Sequence, residues 1–144
     1  MLQSALEQVD REVAGGALLA VSSALRCHAA SLATQTVGLE ALCCLLSGRR
    51  ADRLRAVIEP PAAVHEPVLA AMRQFPTDAR LQSIACDALR LIGLDRDAKE
   101  LLMRPPHCAH DAILQCLDAF QTDARVAQSA VGAIGRLAAN GAPI

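Results

Sequence analysis

The chain has very few aromatic residues. Among its 144 residues there is no Trp and no Tyr, and Phe occurs only as Phe75 and Phe120. It is nevertheless 53% hydrophobic, mostly through Ala, Leu and Val. This composition argues against disorder, which combines low hydrophobicity with high net charge. Since Ala and Leu are strong helix formers, it predicts closely packed helices in one domain that is large enough for a core.

The chain also lacks a concentration of charge of one sign. Charged residues make up 20% of the sequence and the formal net charge is −1. Arg49, Arg50 and Arg53 form the only basic cluster, and a solvated helix start accounts for it. Because a nucleic-acid-binding surface needs a concentrated basic face, we expect no nucleic-acid partner.

No hydrophobic run is long enough for a bilayer. The most apolar run, residues 14–25, contains two Gly and two Ser and stops before Arg26, short of the roughly 20 residues required. Glu7, Asp10 and Glu12 precede it, which is unlike a signal peptide. Six Cys without a secretory signal indicate a reducing compartment. We therefore predict a cytoplasmic protein, with the nucleus as the alternative, and no membrane partner.

What the chain does contain is an internal repeat. The segment Phe75-Pro-Thr-Asp-Ala-Arg-Leu81 recurs 45 residues later as Phe120-Gln-Thr-Asp-Ala-Arg-Val126. The same offset aligns Pro60-Pro61 with Pro105-Pro106. A more divergent copy aligns residues 35–45 with 82–92, at an offset of 47. The chain thus divides into three units, at about 1–47, 48–93 and 94–140, within a single domain, 1–144.

Each unit is predicted to contain three helices. A Pro-Pro pair ends the first helix, an acid lies in the first turn of the second, and a Thr-Asp pair caps the third. In the first unit, Gly15-Gly16 takes the place of the Pro-Pro pair. The first helices are predicted at 51–58 and 96–103, and the second helices at 66–75 and 111–120. In the first unit, helices are predicted at 2–13 and 18–30, on either side of the glycines. Third helices are predicted to begin after Asp78 and Asp123, and the last one to stop at Asn140-Gly141.

The repeat resembles the armadillo family. Val13-Ala14-Gly15-Gly16-Ala17-Leu18 is similar to the family's Ala-Gly-Gly junction, and residues 81–92 are similar to its third-helix consensus, Val-Gln-x-x-Ala-x-x-Ala-Leu-x-Asn-Leu. HEAT repeats share the period but have two helices per unit. A HEAT-type unit remains the alternative for the divergent first unit. The resemblance implies an all-α fold: a right-handed α-solenoid of about three armadillo-like three-helix repeats.

The resemblance also implies a function, that of a non-catalytic protein–protein interaction scaffold whose third helices line a concave face. Family members that bind extended peptides carry a Trp and an Asn one helical turn apart there. This chain has Glu40, Asp87 and Gly132 at the Trp positions and Cys44, Leu91 and Arg136 at the Asn positions, so importin-alpha-type binding is not expected. A basic or amide-rich partner segment is expected instead, at the outward residues Glu40, Cys44, Ser83, Asp87, Gln128 and Arg136.

A zinc or redox module is the remote alternative. His107, Cys108, His110 and Cys116 have the short Cys/His spacing that zinc uses. However, His110 repeats His65, which has no Cys nearby, so a structural role at the start of the second helix is favoured. No pattern of catalytic residues accompanies the cluster, and we predict no enzyme activity, no metal and no cofactor.

A further alternative is an armadillo segment of a larger multidomain signalling protein, for example one attached to a kinase-like domain. Three repeats are close to the minimum for a stable stack. Apolar side chains lie near both ends of the chain, and they predict docking or self-association through the terminal units: Leu2, Leu6, Val9 and Val13 at one end, and Val131, Ile134 and Leu137 at the other.

Overall fold

A computed structural model of the chain describes residues 2–47 and 58–139, without the side chains of residues 6–14. The described residues form seven α-helices: α1 Leu2–Cys27, α2 Leu32–Leu46, α3 His65–Gln74, α4 Ala79–Ile92, α5 Arg96–Met103, α6 Ala109–Ala119 and α7 Ala124–Ala138. The all-helical prediction is confirmed.

The helices pack in two rows. The third helices of the units, α2, α4 and α7, lie side by side with α4 in the middle. The second helices, α1, α3 and α6, pack against them, and α5 packs on α6. Aliphatic side chains from both rows form one continuous core, which includes Leu39, Leu42, Leu69, Leu89 and Ile113. Each unit therefore buries its apolar face against its neighbour, as in a solenoid.

The backbone conformation repeats with the sequence. Asp78 and Asp123 both have φ −92° and ψ 107° at the starts of α4 and α7. Ala63 and Cys108, one unit apart, are both left-handed, with φ 36° and 43°. The Pro-Pro peptide bonds at 60–61 and 105–106 are both cis. The described part of the second unit therefore repeats the backbone conformation of the third.

Outside the first unit, the predicted helices agree closely with these bounds. Helix α5 covers Arg96–Met103, the predicted range, and α3 and α6 begin one or two residues before theirs. The predicted caps are confirmed: the Asp78 carboxylate accepts a hydrogen bond from the Leu81 amide at 2.8 Å, and that of Asp123 accepts one from Val126 at 3.1 Å. Most of the predicted 51–58 helix and the predicted stop at Asn140-Gly141 lie outside the described residues.

The predicted break at Gly15-Gly16 is wrong, because α1 runs through both glycines as one 26-residue helix. Glycine weakens a helix by roughly 0.5–1 kcal/mol, but it keeps the backbone N–H that proline removes. A helix can therefore pass through a glycine pair, whereas the Pro-Pro pairs of the other units stop one. No described atom lies within 4 Å of where a Cβ would be on Gly15 or Gly16, so there is room for a side chain at both positions.

Helix α1 is long enough to cross a bilayer, at about 1.5 Å per residue. It carries Glu7, Asp10, Arg11 and Glu12 within its first half, and these charges make it too polar for lipid. Across the described ranges, no helix combines the length and the apolar character of a membrane span.

Candidate interaction surface

Equivalent caps position the three third helices. Ser31 begins α2 with φ −92° and ψ 105°, nearly the same angles as those of Asp78 and Asp123. The Ser31 hydroxyl accepts a hydrogen bond from the Thr34 amide at 3.2 Å. The three third helices therefore begin with the same backbone geometry, and they pack side by side to present a continuous outer surface.

A buried glutamine joins the second helix to the third in the first two units. The Gln82 side-chain amide donates to the backbone oxygens of Met72 and Phe75, at 3.0 and 2.9 Å. Gln35 makes the same two bonds to residues ten and seven positions upstream, both at 2.9 Å. These oxygens lie at helix ends, where backbone groups lack helical partners. The glutamines therefore fix the angle between the two rows. The repeat aligns Gln35 with Gln82, but the sequence pattern alone did not indicate their role.

An arginine joins each of these units to the next. Arg26 donates to the backbone oxygens of residues 61–63, at 3.0–3.2 Å. Arg73, one unit later, donates to the His107 oxygen at 3.2 Å. In both cases the acceptors lie in the turn before the next second helix. The offset of 47 between the two arginines was the sequence signal that could have identified this contact.

The six predicted surface residues differ in exposure. Cys44, Gln128 and Arg136 are exposed, and Glu40 and Asp87 are half-buried. Ser83 is buried, with 1% of its surface exposed, and its hydroxyl lies 2.9 Å from that of Ser129 on α7. The prediction that Ser83 faces outward is therefore wrong. Because α4 is flanked by a third helix on each side, a narrower strip of it reaches solvent than periodicity alone suggests.

The charges on this surface are mixed rather than acidic. Glu40 of α2 forms an ion pair with Arg80 of α4, a residue that sequence analysis did not select. Arg90 extends over α7, and its Cδ would lie 3.5 Å from a Cβ on Gly132. Arg136, which lies on α7, is the third cation of this surface after Arg80 and Arg90. The predicted surface contained one row of residues from each helix and therefore lacked the arginines that flank the acids.

The structural repetition agrees with one family comparison. The family model described as the LRRK2 ARM repeat matches residues 9–143. The chain belongs to this armadillo-repeat family. No curated protein and no solved structure matches it. The predicted family and the armadillo-like helical solenoid are therefore confirmed.

The paired cysteines of the armadillo chain have different environments. Cys44 is exposed, whereas Cys43 is half-buried and its thiol donates to the Ile84 oxygen of α4 at 3.5 Å. Burial, reinforced by the nearby Asp87 carboxylate, raises the pKa of Cys43 to about 12. Because the thiolate is the reactive form, Cys43 is an inert packing residue between two armadillo helices.

The armadillo fold separates the residues of the metal-like cluster. The His107 ring packs edge-on against His65, with centroids 4.7 Å apart. Cys116 instead lies beside Cys86 of α4, and this neighbouring thiol together with burial raises the pKa of Cys86. Among the described side chains, those of residues 2–5, 15–47 and 58–139, no three from His, Cys, Asp or Glu are placed to hold a metal ion. The structure therefore directs His107 and Cys116 to different neighbours.

His65 and His110 occupy equivalent positions at the starts of α3 and α6. The Nδ1 atom of each ring is buried and makes no hydrogen bond to the described part of the chain. Burial, together with His107, lowers the pKa of His65 to about 4. His65 is therefore a neutral packing residue at neutral pH, which agrees with the structural role predicted for it.

Proposed function

We propose that the chain is a non-catalytic protein-interaction module that binds its partner on the third-helix surface. We define this surface as Glu40, Cys44, Arg80, Asp87, Arg90, Gln128 and Arg136. The observation that carries the proposal is the row of α2, α4 and α7, three armadillo third helices presenting polar side chains side by side. Armadillo domains are generally non-catalytic helical repeat modules, so the function is assigned to a surface rather than to a pocket.

The mixed charge of the surface suggests the chemistry of the partner. Glu40 and Arg80 are exposed enough for their ion pair to be weak, about 0–1 kcal/mol. A partner that offers its own cation to Glu40 and its own anion or amide to Arg80 can replace that pair at little cost. We therefore propose a segment that carries both charges and amides, a refinement of the basic or amide-rich segment expected from the sequence.

The proposed setting is the cytoplasm or the nucleus. None of the six cysteines is in a disulfide, and Cys27 and Cys44 are exposed. A reducing compartment keeps exposed thiols in that state.

Charge reversal tests the surface. Glu40→Lys with Asp87→Lys in one variant, and Arg136→Glu in another, should each reduce the recovery of the same set of captured proteins. Glu59→Lys is a matched control, because Glu59 is exposed on a loop away from the third helices. Capture is quantified by mass spectrometry against the wild-type chain. If both variants recover every partner at wild-type levels, binding does not use this surface.

A further inference from the structure

Positions that are buried in the second unit become exposed in the third. Leu69 is 1% exposed, whereas its equivalent Leu114 is 51% exposed. Cys86 is fully buried, whereas its equivalent Val131 is 59% exposed. The cause is stacking: α3 and α4 of the second unit pack against α6 and α7 of the third, whereas no described residue covers Leu114 and Val131 in the same way.

The uncovered side of the third unit, which we call the tail face, has little charge. It consists of the exposed residues Leu114, Gln128, Val131 and Gly135 of α6 and α7. Two large aliphatic side chains and a bare glycine on one side of a helix pair have the character of a covered interface rather than of a solvated surface.

The opposite side of the first unit, the head face, shows the same loss of burial. Val37 is 65% exposed, whereas its equivalent in the second unit, Ile84, is 6% exposed. Ala24 is exposed, whereas its equivalent, Ala71, is buried. We define the head face as Ala20, Ala24, Val37 and Ala41, none of which is charged.

The internal interface indicates how a head face fits a tail face. The Ser83 and Ser129 hydroxyls meet between the second and third units. In the repeat, Gln128 of the tail face is equivalent to Ser83, and Val37 of the head face is equivalent to Ser129. Cys86 and Cys116 are also neighbours at this interface. Val131 of the tail face is equivalent to Cys86, and Ala24 of the head face is equivalent to Cys116. In both pairs, the tail residue is larger than its equivalent at the internal interface, and the head residue opposite it is apolar.

The two faces also depart from the internal pattern together. The arginine that joins units, Arg26 or Arg73, is replaced by Asp118 in the third unit. Its acceptors, the backbone oxygens of an open turn, are replaced in the first unit by continuous helix through Gly15 and Gly16. The tail face has no arginine to donate hydrogen bonds, and the head face has no free backbone oxygens that need a donor, because the oxygens of a continuous helix already accept helical hydrogen bonds. The two faces are therefore compatible.

We propose that two copies of this chain associate head to tail, with the tail face of one copy covered by the head face of the next. The contact continues the unit-to-unit interface seen within the chain, and Gln128 is the one residue that it shares with the proposed third-helix surface. Because the two faces differ, the contact is heterologous: each copy keeps one free face, and further copies add to the stack.

Complementary blocking variants test this arrangement. Val131→Glu blocks the tail and Val37→Glu blocks the head, and both side chains are exposed, so each variant should fold. In sedimentation velocity, the average mass of the wild-type chain should rise above the monomer mass of 15.1 kDa with concentration. Each variant alone should stay monomeric. An equimolar mixture should form a pair of twice the monomer mass and stop there, because one free head meets one free tail.

Leu19→Glu is the matched control. Leu19 is an exposed aliphatic residue outside both faces, and the other units carry Glu66 and Asp111 at its position. This variant should associate like the wild-type chain, with circular dichroism melts verifying the fold of all variants. A wild-type chain that stays monomeric up to millimolar concentration overturns the proposal and assigns the faces to other partners. A mixture that stays monomeric while the wild type associates overturns the head-to-tail contact.

Discussion

At the residue scale, the buried glutamine of the second unit makes a specific contribution to stability. Replacing Gln82 with Leu removes both of its hydrogen bonds and leaves the Met72 oxygen unpaired in the last turn of α3. We expect the free energy of unfolding to fall by about 1–3 kcal/mol, the cost of an unsatisfied buried polar group. Urea denaturation measures it. Gln115→Leu, at an exposed position on α6, should change stability by less than about 0.5 kcal/mol. Equal effects would show that the hydrogen bonds of Gln82 are not the cause.

His65 should make stability depend on pH. Its folded pKa of about 4 lies below the ordinary value of 6.5, so the unfolded chain binds the proton more readily. The contribution of the neutral ring is complete above about pH 6.5 and is lost as the pH falls towards 4. His65→Leu should remove this part of the acid sensitivity, and the first unit already has a buried leucine, Leu18, at this position.

The measurement for His65 is the urea midpoint at pH 7 and at pH 5. The wild-type midpoint should fall more between the two than that of the variant. His28→Leu, at an exposed position, serves as the control for removing a histidine. The same fall in wild type and His65→Leu would exclude His65 as the titrating group.

At the element scale, the glycine pair in α1 gives a direct test of helix continuity. Gly15→Ala and Gly16→Ala should each raise the free energy of unfolding by about 0.5–1 kcal/mol, since both residues are helical, exposed and clear of neighbouring atoms. Thermal melts followed by circular dichroism measure the change. If Gly16→Ala destabilises the chain, residue 16 has the left-handed conformation of Ala63 and Cys108 instead, and α1 is broken there.

The sequence predicted those features that local chemistry dictates. An Asp cap and a Pro-Pro pair act within a few residues, so α5 was located with both boundaries and α4 and α7 with their starts. Glycine permits a turn without requiring one, and the first unit was therefore divided wrongly. Residue exposure depends on neighbours far apart in the chain: the burial of Ser83 follows from its contact with Ser129, which no local pattern shows.

At the scale of the whole molecule, stability should be distributed along the stack. Helix α4 contacts both α2 and α7, whereas among the described helices α2 and α7 each contact only one other third helix. In a solenoid, a unit interacts mainly with its neighbours, so a local defect weakens its own unit and the adjacent one. The arginine contacts from Arg26 and Arg73 join consecutive units in the same order. Damage to the first unit should therefore leave the third unit largely protected.

Gly38→Ala introduces such a defect. A Cβ on Gly38 would lie 2.5 Å from Cδ2 of Leu25, a buried core residue, so α1 and α2 must separate slightly or Leu25 must change rotamer. We expect a loss of about 1–3 kcal/mol from this overpacking. Hydrogen exchange should show reduced protection in α2 and the second half of α1, with α6 and α7 near wild-type values. Gly135→Ala is the control, because nothing lies near its Cβ position and the change should stabilise α7. An equal loss of protection in every helix would mean that the stack unfolds as one cooperative body, and nearest-neighbour coupling would then be the wrong description of this chain.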